Sequence, residues 1–466
     1  MRGEILDRVD GARKFNFKFD RIMDKAIIKL AWPSITEQLL EMMVGIVSTI
    51  FMGRLGTNAL AAVGMVNMLM GFLQTVFTGL SMGTTVIIAR VTGEGDIKEA
   101  KRALIQSIYM AAFFGVTMAL IGKLFSTQIL QFFYGGAKEE IFILGISYFK
   151  IILVSVPFFV VDIIVSGAMR GSGDTKTPMV ITSGVNIINI ILNIVLIFGV
   201  QALHIPALGV VGSAIAVTIS RVLGVTARIM VLFLRKKCKL HLTFKDDYRL
   251  KAKLLKRIIN IGVPGFIEQA VMQGGFLILQ IIIVSMGVIA MASYQIGINL
   301  NALAFFPIFG LALANTTLVG QSLGERKYKK AESYAYESLK ITMALGLIIG
   351  TLMVIFAKPL VMLYTTDPKV IKEATGFIRT FGILEPMLAI LNVCSATLKA
   401  SGDIMYVMVT SFVGLWSCRV LLSYSLDRWL HIGVFAIMIG IFFDFSIRSI
   451  MYLYRMNKGD WKYLKV

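Results

Sequence analysis

Twelve apolar segments, each long enough to cross a lipid bilayer, dominate the sequence between Ile27 and Tyr454. Crossing about 30 Å of hydrocarbon takes about 20 helical residues. Of the 466 residues 57% are hydrophobic and 16% charged, whereas about a quarter are charged in a soluble globular domain. The sequence therefore predicts an all-α polytopic membrane protein. The predicted spans are 27–52, 59–89, 103–132, 140–168, 178–199, 208–234, 256–286, 290–321, 333–357, 370–397, 405–426 and 432–455.

The positive charges lie on one side of the predicted membrane topology. The chain has a net charge of +20, and most of its 47 Lys and Arg residues fall before the first span or in every second connection, above all in residues 235–257. By the positive-inside rule, both termini are cytoplasmic. This distribution predicts a multi-pass protein of the cytoplasmic membrane of a prokaryote, and it argues against a nucleic-acid partner.

Cysteine and histidine are scattered rather than clustered. Their spacing matches no metal-ligand pattern, and no nucleophile and base are paired in sequence. We therefore expect neither a cofactor nor an enzyme. The positions are Cys238, Cys394, Cys418, His204, His241 and His431.

The sequence contains an internal repeat. A shift of 231 residues places Pro33 on Pro264 and Glu37 on Glu268, so that "WPSITEQ" recurs as "VPGFIEQ". A shift of 229 places "SGD" at 172–174 on "SGD" at 401–403. The repeat predicts two six-helix lobes, residues 1–234 with a cytoplasmic N-terminal segment and residues 258–466, joined by a cytoplasmic linker at 235–257.

An even number of spans separates the matched positions, so the lobes share one orientation in the bilayer. Parallel repeats of this kind occur in secondary transporters, whose two lobes rock around a central cleft. The sequence has no Walker A loop to bind ATP. We therefore expect gradient-driven transport.

Several motifs resemble one transporter family over nearly the whole chain. They are "PSITEQ" with "PGFIEQ", "MGRLG" at 52–56, "GAMRGSGDTKTPM" at 167–179, "NIILNIVLIFG" at 189–199, "GQSLGERKYKKA" at 320–331 and "YRMNKGDWK" at 454–462. In combination they are similar to the multidrug and toxic compound extrusion (MATE) family. The resemblance implies a twelve-helix exporter that expels cationic or amphipathic drugs in exchange for inward Na⁺ or H⁺.

Two carboxylates stand in the first span. A charged side chain at the bilayer centre costs about 2.5–3.5 kcal/mol even on lenient scales, so it should face water or a partner. At about 100° per residue, Glu37, Glu41 and Ser48 share one stripe of the helix. We interpret Glu37 and Glu41 as facing the cleft, where they exchange a proton or pair with a cation. The alternative is solvation of a helix end.

The resemblance also exposes a departure. Relatives often carry an Asp in a "VDT" stretch of helix 1, where this chain reads "VST" with Ser48. Asn189 and Asn193, four residues apart, match the family's polar pair in helix 5. This N-terminal cation site would be neutral here, and a Na⁺ ion near Ser48, Asn189 and Asn193 is the weaker expectation.

If the N-terminal cation site is neutral, either the acid that couples transport to the ion lies elsewhere in this chain, or coupling differs in this branch of the family. Relocation to Glu41, to Asp162 one turn after Pro157, or to the C-terminal lobe is the interpretation we favour. In that lobe Glu268 follows from the repeat and Glu385 precedes Pro386. Gln269 is a candidate wall residue of the substrate cleft.

Other intramembrane charges have structural interpretations. Asp444 and Arg448 stand four residues apart, which predicts an ion pair along one helix, and Arg419 would then reach Asp444 or Glu385. The two "SGD" stretches are predicted to form turns.

A lipid or polysaccharide flippase of the same superfamily is the alternative function. It should show basic residues in the cleft for lipid phosphates, and helices beyond the twelfth. The predicted partners of the chain are cationic or amphipathic small molecules, the coupling ion and the lipid bilayer, and we expect a monomer.

Overall fold

The computed structural model describes residues 20–136, 138–200, 206–236 and 238–464. Within them, twelve helices are long and apolar enough to cross a membrane, which confirms the predicted all-α architecture. The predicted N-terminal segment lies largely outside the described residues. The helices are α1 Arg21–Leu55, α2 Thr57–Glu94, α3 Ile97–Leu124, α4 Glu139–Gly171, α5 Lys176–Phe198, α6 Gly209–Leu234, α7 Ala252–Ser285, α8 Val288–Gly324, α9 Tyr328–Ile355, α10 Pro368–Ser401, α11 Ile404–Leu430 and α12 Val434–Lys458.

Short helical segments complete the described chain. A nine-residue helix, Ser126–Tyr134, follows α3, and a six-residue helix, Ala357–Met362, follows α9. Residues Gly414–Leu422 of α11 form a π-helical stretch, and a 3₁₀ turn, Asp460–Tyr463, follows α12.

The two "SGD" stretches form matching turns, as predicted. Gly173 and Gly402 both have positive φ, 90° and 95°, a conformation that glycine adopts without a steric penalty. The next residue in each turn donates its N–H back to the preceding helix, from Asp174 to the carbonyl of Met169 (3.0 Å) and from Asp403 to that of Leu398 (2.9 Å). The turns end α4 and α10 in the same way, which is structural support for the repeat.

The chain divides into two compact units. The N-unit comprises the described residues of 30–273 with 324–326, and the C-unit comprises the described residues 20–29, 274–323 and 327–464. The sequence repeat sets the predicted boundaries of the lobes, 1–234 and 258–466, and of the linker, 235–257, whereas packing sets the boundaries of the two units. The predicted boundaries stay a prediction.

Helix α4 is the central helix of the N-unit and packs against α2, α3 and α6. A glycine permits its close approach to α3, because a Cβ on Gly115 would lie 2.7 Å from the Cα of Pro157. Helix α10 takes the same place in the C-unit, packed against α9 and α12. There a Cβ on Gly346 would lie 3.0 Å from the carbonyl oxygen of Glu385, just before Pro386.

The connection between α6 and α7 is held against α3. The Gln106 amide donates to the carbonyl of Arg249 (2.9 Å) and accepts from the N–H of Lys251 (3.1 Å). The Tyr109 hydroxyl donates to the carbonyl of Tyr248 (3.0 Å). These bonds fix the chain that leads into α7, which begins at Ala252 inside the predicted linker.

Candidate functional site

Glu37 lies buried in the N-unit, 3% exposed, with partners on three helices. Its carboxylate forms an ion pair with the Arg170 guanidinium of α4 at 3.1 Å. It also accepts hydrogen bonds from the hydroxyls of Thr182 on α5 (3.1 Å) and Ser166 on α4 (3.4 Å). The polar stripe predicted on α1 therefore meets polar faces of α4 and α5.

Asp162 is the second acid of this cluster. Its carboxylate pairs with the Arg228 guanidinium of α6, and the same guanidinium donates to the Thr182 hydroxyl at 2.7 Å. Arg228 also lies 3.8 Å from Glu37, so it joins the two acids. We call Glu37, Asp162, Arg170 and Arg228 the N-unit charge cluster.

The N-unit charge cluster balances its own charge, with two carboxylates and two guanidiniums. Burying such ions is expensive unless each one is paired and hydrogen-bonded. Here the described contacts supply those partners, so the cluster needs no further ion to be neutral. Removal of Arg228 would leave the Asp162 carboxylate without an ion-pair partner among the described side chains.

Glu41 and Ser48 lie further along α1 and are in a different situation. The Glu41 side chain is exposed, and it makes no hydrogen bond or ion pair within the described part of the chain. It does interact electrostatically with Glu37, Arg170 and Asp162 of the charge cluster. Ser48 is partly exposed. A free carboxylate at this depth must meet water or a ligand, because lipid would not solvate it.

Asn189 and Asn193 are buried together on α5, 6% and 1% exposed. The Asn193 amide donates to the side-chain oxygen of Asn189 at 2.9 Å, and the Asn189 amide donates to the Ser220 hydroxyl at 3.1 Å. The Asn193 oxygen has no hydrogen-bond partner. Among the residues described, no group of three His, Cys, Asp or Glu side chains could hold a metal ion. The polar pair offers Na⁺ one free oxygen, and the Na⁺ site stays a prediction.

Glu268 and Gln269 lie on α7, in its N-unit part. Glu268 is buried, 6% exposed. Gln269 packs where α7 crosses α2, since a Cβ on Gly79 would lie 3.0 Å from the Gln269 Cγ. One turn on, the Gln273 amide donates to the Thr75 hydroxyl of α2 at 2.9 Å. The roles predicted for Glu268 and Gln269 stay predictions.

Glu385 is fully buried in the C-unit, 0% exposed on α10. One carboxylate oxygen accepts a hydrogen bond from the Asn301 amide of α8 at 2.7 Å. The other oxygen has no hydrogen-bond partner, and no cationic side chain of the described chain lies within ion-pair distance. Glu385 therefore differs from both acids of the N-unit charge cluster, which have arginine partners.

Asp444 holds two arginines in the C-unit. Its carboxylate pairs with Arg448 at 2.5 Å, as predicted, and with Arg419 at 2.9 Å. The Arg419 guanidinium lies over the Phe445 ring at 4.9 Å. The π-helical stretch of α11 carries Arg419. Two guanidiniums thus share one carboxylate, and the three side chains link α11 to α12 within the C-unit.

The sequence did not reveal the partners of the predicted acids. Arg170 belongs to the motif "GAMRGSGDTKTPM" and Arg228 lies inside a predicted span. A rule that every intramembrane carboxylate pairs with a cation would have identified both as candidate partners. Thr182, Ser166 and Asn301 carry no such signal, because their roles depend on which helices meet.

The fold defines the class as a polytopic helical membrane protein with charged groups buried among its helices. The family model MatE matches residues 33–195 and 264–425. The chain belongs to this family, the multidrug and toxic compound extrusion transporters, as the sequence motifs predicted.

Similar proteins cover nearly the whole chain. "Probable multidrug resistance protein NorM" of Thermotoga maritima is 30% identical over 438 residues, which span 94% of this chain and 93% of the relative. "Uncharacterized transporter YisQ" of Bacillus subtilis is 27% identical over 447 residues, 94% of either chain.

Solved structures share the fold. An outward-facing multidrug resistance MATE transporter matches with a TM-score of 0.86 at 23% identity, over 94% of this chain and 96% of that one. A Pyrococcus furiosus transporter of the MOP superfamily, described as having a binding pocket of reverse polarity, matches with a TM-score of 0.86 at 24% identity, over 94% and 97%.

Proposed function

We propose that this multidrug transporter is a secondary antiporter, which expels cationic or amphipathic organic compounds in exchange for inward H⁺ by alternating access. In this proposal Glu385 carries the proton and Glu41 pairs with the cationic group of the substrate. The protein lies in the cytoplasmic membrane of a prokaryote with both termini inside, as the distribution of Lys and Arg indicates.

The observation that carries the proposal is the environment of Glu385. A buried ionised carboxylate needs a compensating charge, and its partner here is the neutral amide of Asn301. A proton bound to the Glu385 carboxylate neutralises it and needs no other ligand. A Na⁺ ion would need several oxygen atoms around it, and the hydrogen bond that Glu385 accepts comes from an amide nitrogen.

Glu41 supports the substrate part of the proposal. It is an exposed carboxylate without an ion-pair partner in the described chain, near arginines that are already paired with Glu37 and Asp162. A cationic drug can therefore pair with Glu41 without displacing an internal ion pair.

The energetics suit one-for-one exchange. One positive charge moving inward through 100 mV releases about 2.3 kcal/mol, and a monovalent drug cation moving outward takes up about the same amount. Exchange is then electroneutral, and the proton concentration gradient drives export. Coupling follows if proton and drug binding oppose one another.

The test is efflux of a fluorescent cation from proteoliposomes under an imposed ΔpH or an imposed Na⁺ gradient. We expect ΔpH to drive efflux by the wild type, and Glu385→Gln to lower the rate at least tenfold. Glu140→Gln is the matched control, because Glu140 also accepts a hydrogen bond from an asparagine amide, that of Asn58 at 2.8 Å, but is exposed.

Three results would overturn parts of the proposal. Efflux driven only by the Na⁺ gradient would replace H⁺ by Na⁺. Full ΔpH-driven efflux by Glu385→Gln would remove Glu385 from coupling. Lipid scrambling without efflux of the cation would favour the flippase alternative.

A further inference from the structure

The connection between α6 and α7 carries an excess of positive charge. Residues 235–257 contain ten Lys and Arg residues but only two carboxylates, those of Asp246 and Asp247. Asp246 pairs with Lys101 of α3 at 3.5 Å. Asp247 pairs with Lys251 of the connection itself at 3.0 Å. Both carboxylates are therefore already compensated, and they leave other basic side chains of this segment unbalanced.

Four exposed basic side chains of this segment have no ion-pair partner among the described residues. Lys239 follows the end of α6, Arg249 precedes α7, and Lys253 and Lys256 lie in the first turns of α7. A group of fixed positive charges that the protein does not balance attracts anionic groups from outside. The connection therefore has the charge of a surface that binds an anionic partner.

The two lysines of α7 belong to an exposed stripe of that helix. Lys253, Lys256, Asn260, Val263 and Ile267 recur every three or four residues, the spacing of one helix face, and all five are exposed. The stripe begins with basic residues and ends with apolar ones. Such a change along one helix face is typical of a segment that passes from lipid headgroups into the acyl chains.

An exposed aromatic side chain stands at the tip of the connection. Thr243 and Asp246 close a tight turn, in which the Asp246 N–H donates to the Thr243 carbonyl at 3.0 Å. Phe244, within this turn, is 93% exposed. Its ring centroid lies 5.5 Å from that of Phe233, one residue before the end of α6 at Leu234. An exposed ring beside the end of a span has the position of an interfacial anchor.

From the unbalanced charge and the exposed ring we propose that this connection binds anionic phospholipid headgroups. Lys239, Arg249 and Lys253 contact the phosphate groups, and Phe244 enters the region of the acyl chains. By the predicted topology the leaflet is the cytoplasmic one, whose negative surface attracts basic segments next to membrane spans. This inference goes beyond the proposed function and does not depend on which ion drives transport.

The exposed apolar residues favour a lipid surface over a soluble polyanion. Phe244 and Leu250 are 93% and 69% exposed in the same connection as the basic residues. A soluble polyanion would contact the charges and leave both apolar side chains in water. A lipid surface offers phosphate groups and hydrocarbon within about 10 Å of each other, so it can take both kinds of side chain.

The test uses the full-length protein reconstituted in vesicles, with Phe244→Trp as the probe. Lipids with brominated acyl chains quench tryptophan, and the wild type, with four native tryptophans, gives the background. The vesicles are phosphatidylcholine with a small fraction of either brominated phosphatidylglycerol or brominated phosphatidylcholine. At equal fractions we expect the anionic lipid to quench the added tryptophan at least threefold more effectively than the neutral one.

The basic residues are tested by substitution in the Phe244→Trp protein. Lys239→Gln, Arg249→Gln and Lys253→Gln in combination should lower the ratio of quenching by the anionic and neutral lipids to about one. A second measurement needs no further variant. In about 1 M NaCl, where charges are screened beyond about 3 Å, the ratio in the Phe244→Trp protein should also fall towards one, and a ratio that salt does not change would overturn the proposal.

The matched control removes the same number of charges elsewhere. It combines Lys358→Gln, Lys369→Gln and Lys372→Gln, at exposed positions outside the connection, and should keep the preference for the anionic lipid. Loss of the preference in this control as well would mean that overall charge attracts the lipid, and the proposal fails. Thermal unfolding in detergent confirms that each variant is folded before quenching is measured.

Two results with the Phe244→Trp protein alone would also overturn the proposal. Equal quenching by the two lipids would mean that the turn contacts lipid without selecting an anionic headgroup. Absence of quenching by either lipid would mean that the turn lies in water or against another protein segment. Neither result bears on ΔpH-driven efflux, so this inference and the antiport proposal can fail separately.

Discussion

The acids of the two units differ in the partners that the protein gives them. In the N-unit the buried Glu37 and the partly exposed Asp162 have arginine partners, Arg170 and Arg228. In the C-unit Arg419 and Arg448 share Asp444, whereas the partner of Glu385 is the neutral amide of Asn301. The two repeats therefore contain different charged sites. The C-unit holds an acid, Glu385, whose charge no cationic side chain of the described chain compensates.

From this difference we infer that the two units have different roles in transport. The N-unit leaves the exposed Glu41 carboxylate without an ion-pair partner in the described chain, so we assign this unit the contact with the cationic group of the substrate. The C-unit hides Glu385 completely, so we assign it the proton. Each assignment can be tested by substituting a residue in one unit and comparing the effect with that of a corresponding substitution in the other unit.

The largest expected effect is on stability and concerns the acids that hold arginines. Asp444→Asn leaves Arg419 and Arg448 without their common carboxylate, and breaking a buried pair in this way costs about 3–5 kcal/mol. Asp162→Asn should cost about 1–3 kcal/mol, because Arg228 keeps the Thr182 hydroxyl at 2.7 Å. Thermal unfolding in detergent measures both. An equal loss would mean that the arginines of the two units are equally compensated.

A smaller effect is expected where α4 and α10 meet their neighbours. Gly115→Ala places a methyl group against the backbone of Pro157 at 2.7 Å, and such overpacking costs about 1–3 kcal/mol. Gly346→Ala meets the Glu385 carbonyl at 3.0 Å and should cost less. Gly64→Ala is the control, because nothing lies within 4 Å of its Cβ.

Gly346→Ala also sharpens the comparison between the units. It presses on the backbone of Glu385, so it should slow ΔpH-driven efflux more than its loss of stability explains. Gly115→Ala should alter efflux only in proportion to the amount of folded protein. Efflux that follows stability in both variants would argue that Glu385 has no special part in coupling.

The smallest effect concerns the connection that the N-unit holds against α3. Partial burial opposes ionisation of Asp246, but hydrogen bonds from the Thr243 N–H and hydroxyl and from Lys101 outweigh it and lower the pKa of Asp246. Because the folded pKa is the lower one, the stabilisation is present above the unfolded value of about 3.9 and is lost as the pH falls through the folded pKa.

Asp246→Asn should therefore destabilise the connection by at most about 1 kcal/mol near neutral pH, and the difference from wild type should disappear as the pH falls through the folded pKa. Hydrogen exchange in residues 238–251 would show this local loosening. Lys245→Gln, at an exposed neighbouring position, is the control. A difference between Asp246→Asn and wild type that persists in acid would contradict the ionic explanation.

Much of the fold could be predicted from the sequence, because hydrophobic length and the repeat are local or periodic signals. The twelve spans, the turns at Gly173 and Gly402, and the Asp444–Arg448 pair four residues apart are of this kind. The contacts of Glu37 and Glu385 are not, since Thr182 and Asn301 lie far away in sequence.

The most direct measurement of the central claim is the proton exchanged when a cation binds. Rhodamine B ethyl ester is added to purified protein in weakly buffered detergent solution, and the pH change is recorded. We predict that the wild type and Glu140→Gln release protons and that Glu385→Gln releases none above background. Proton release by Glu385→Gln equal to that of the wild type would contradict the assignment of the coupling proton to the C-unit.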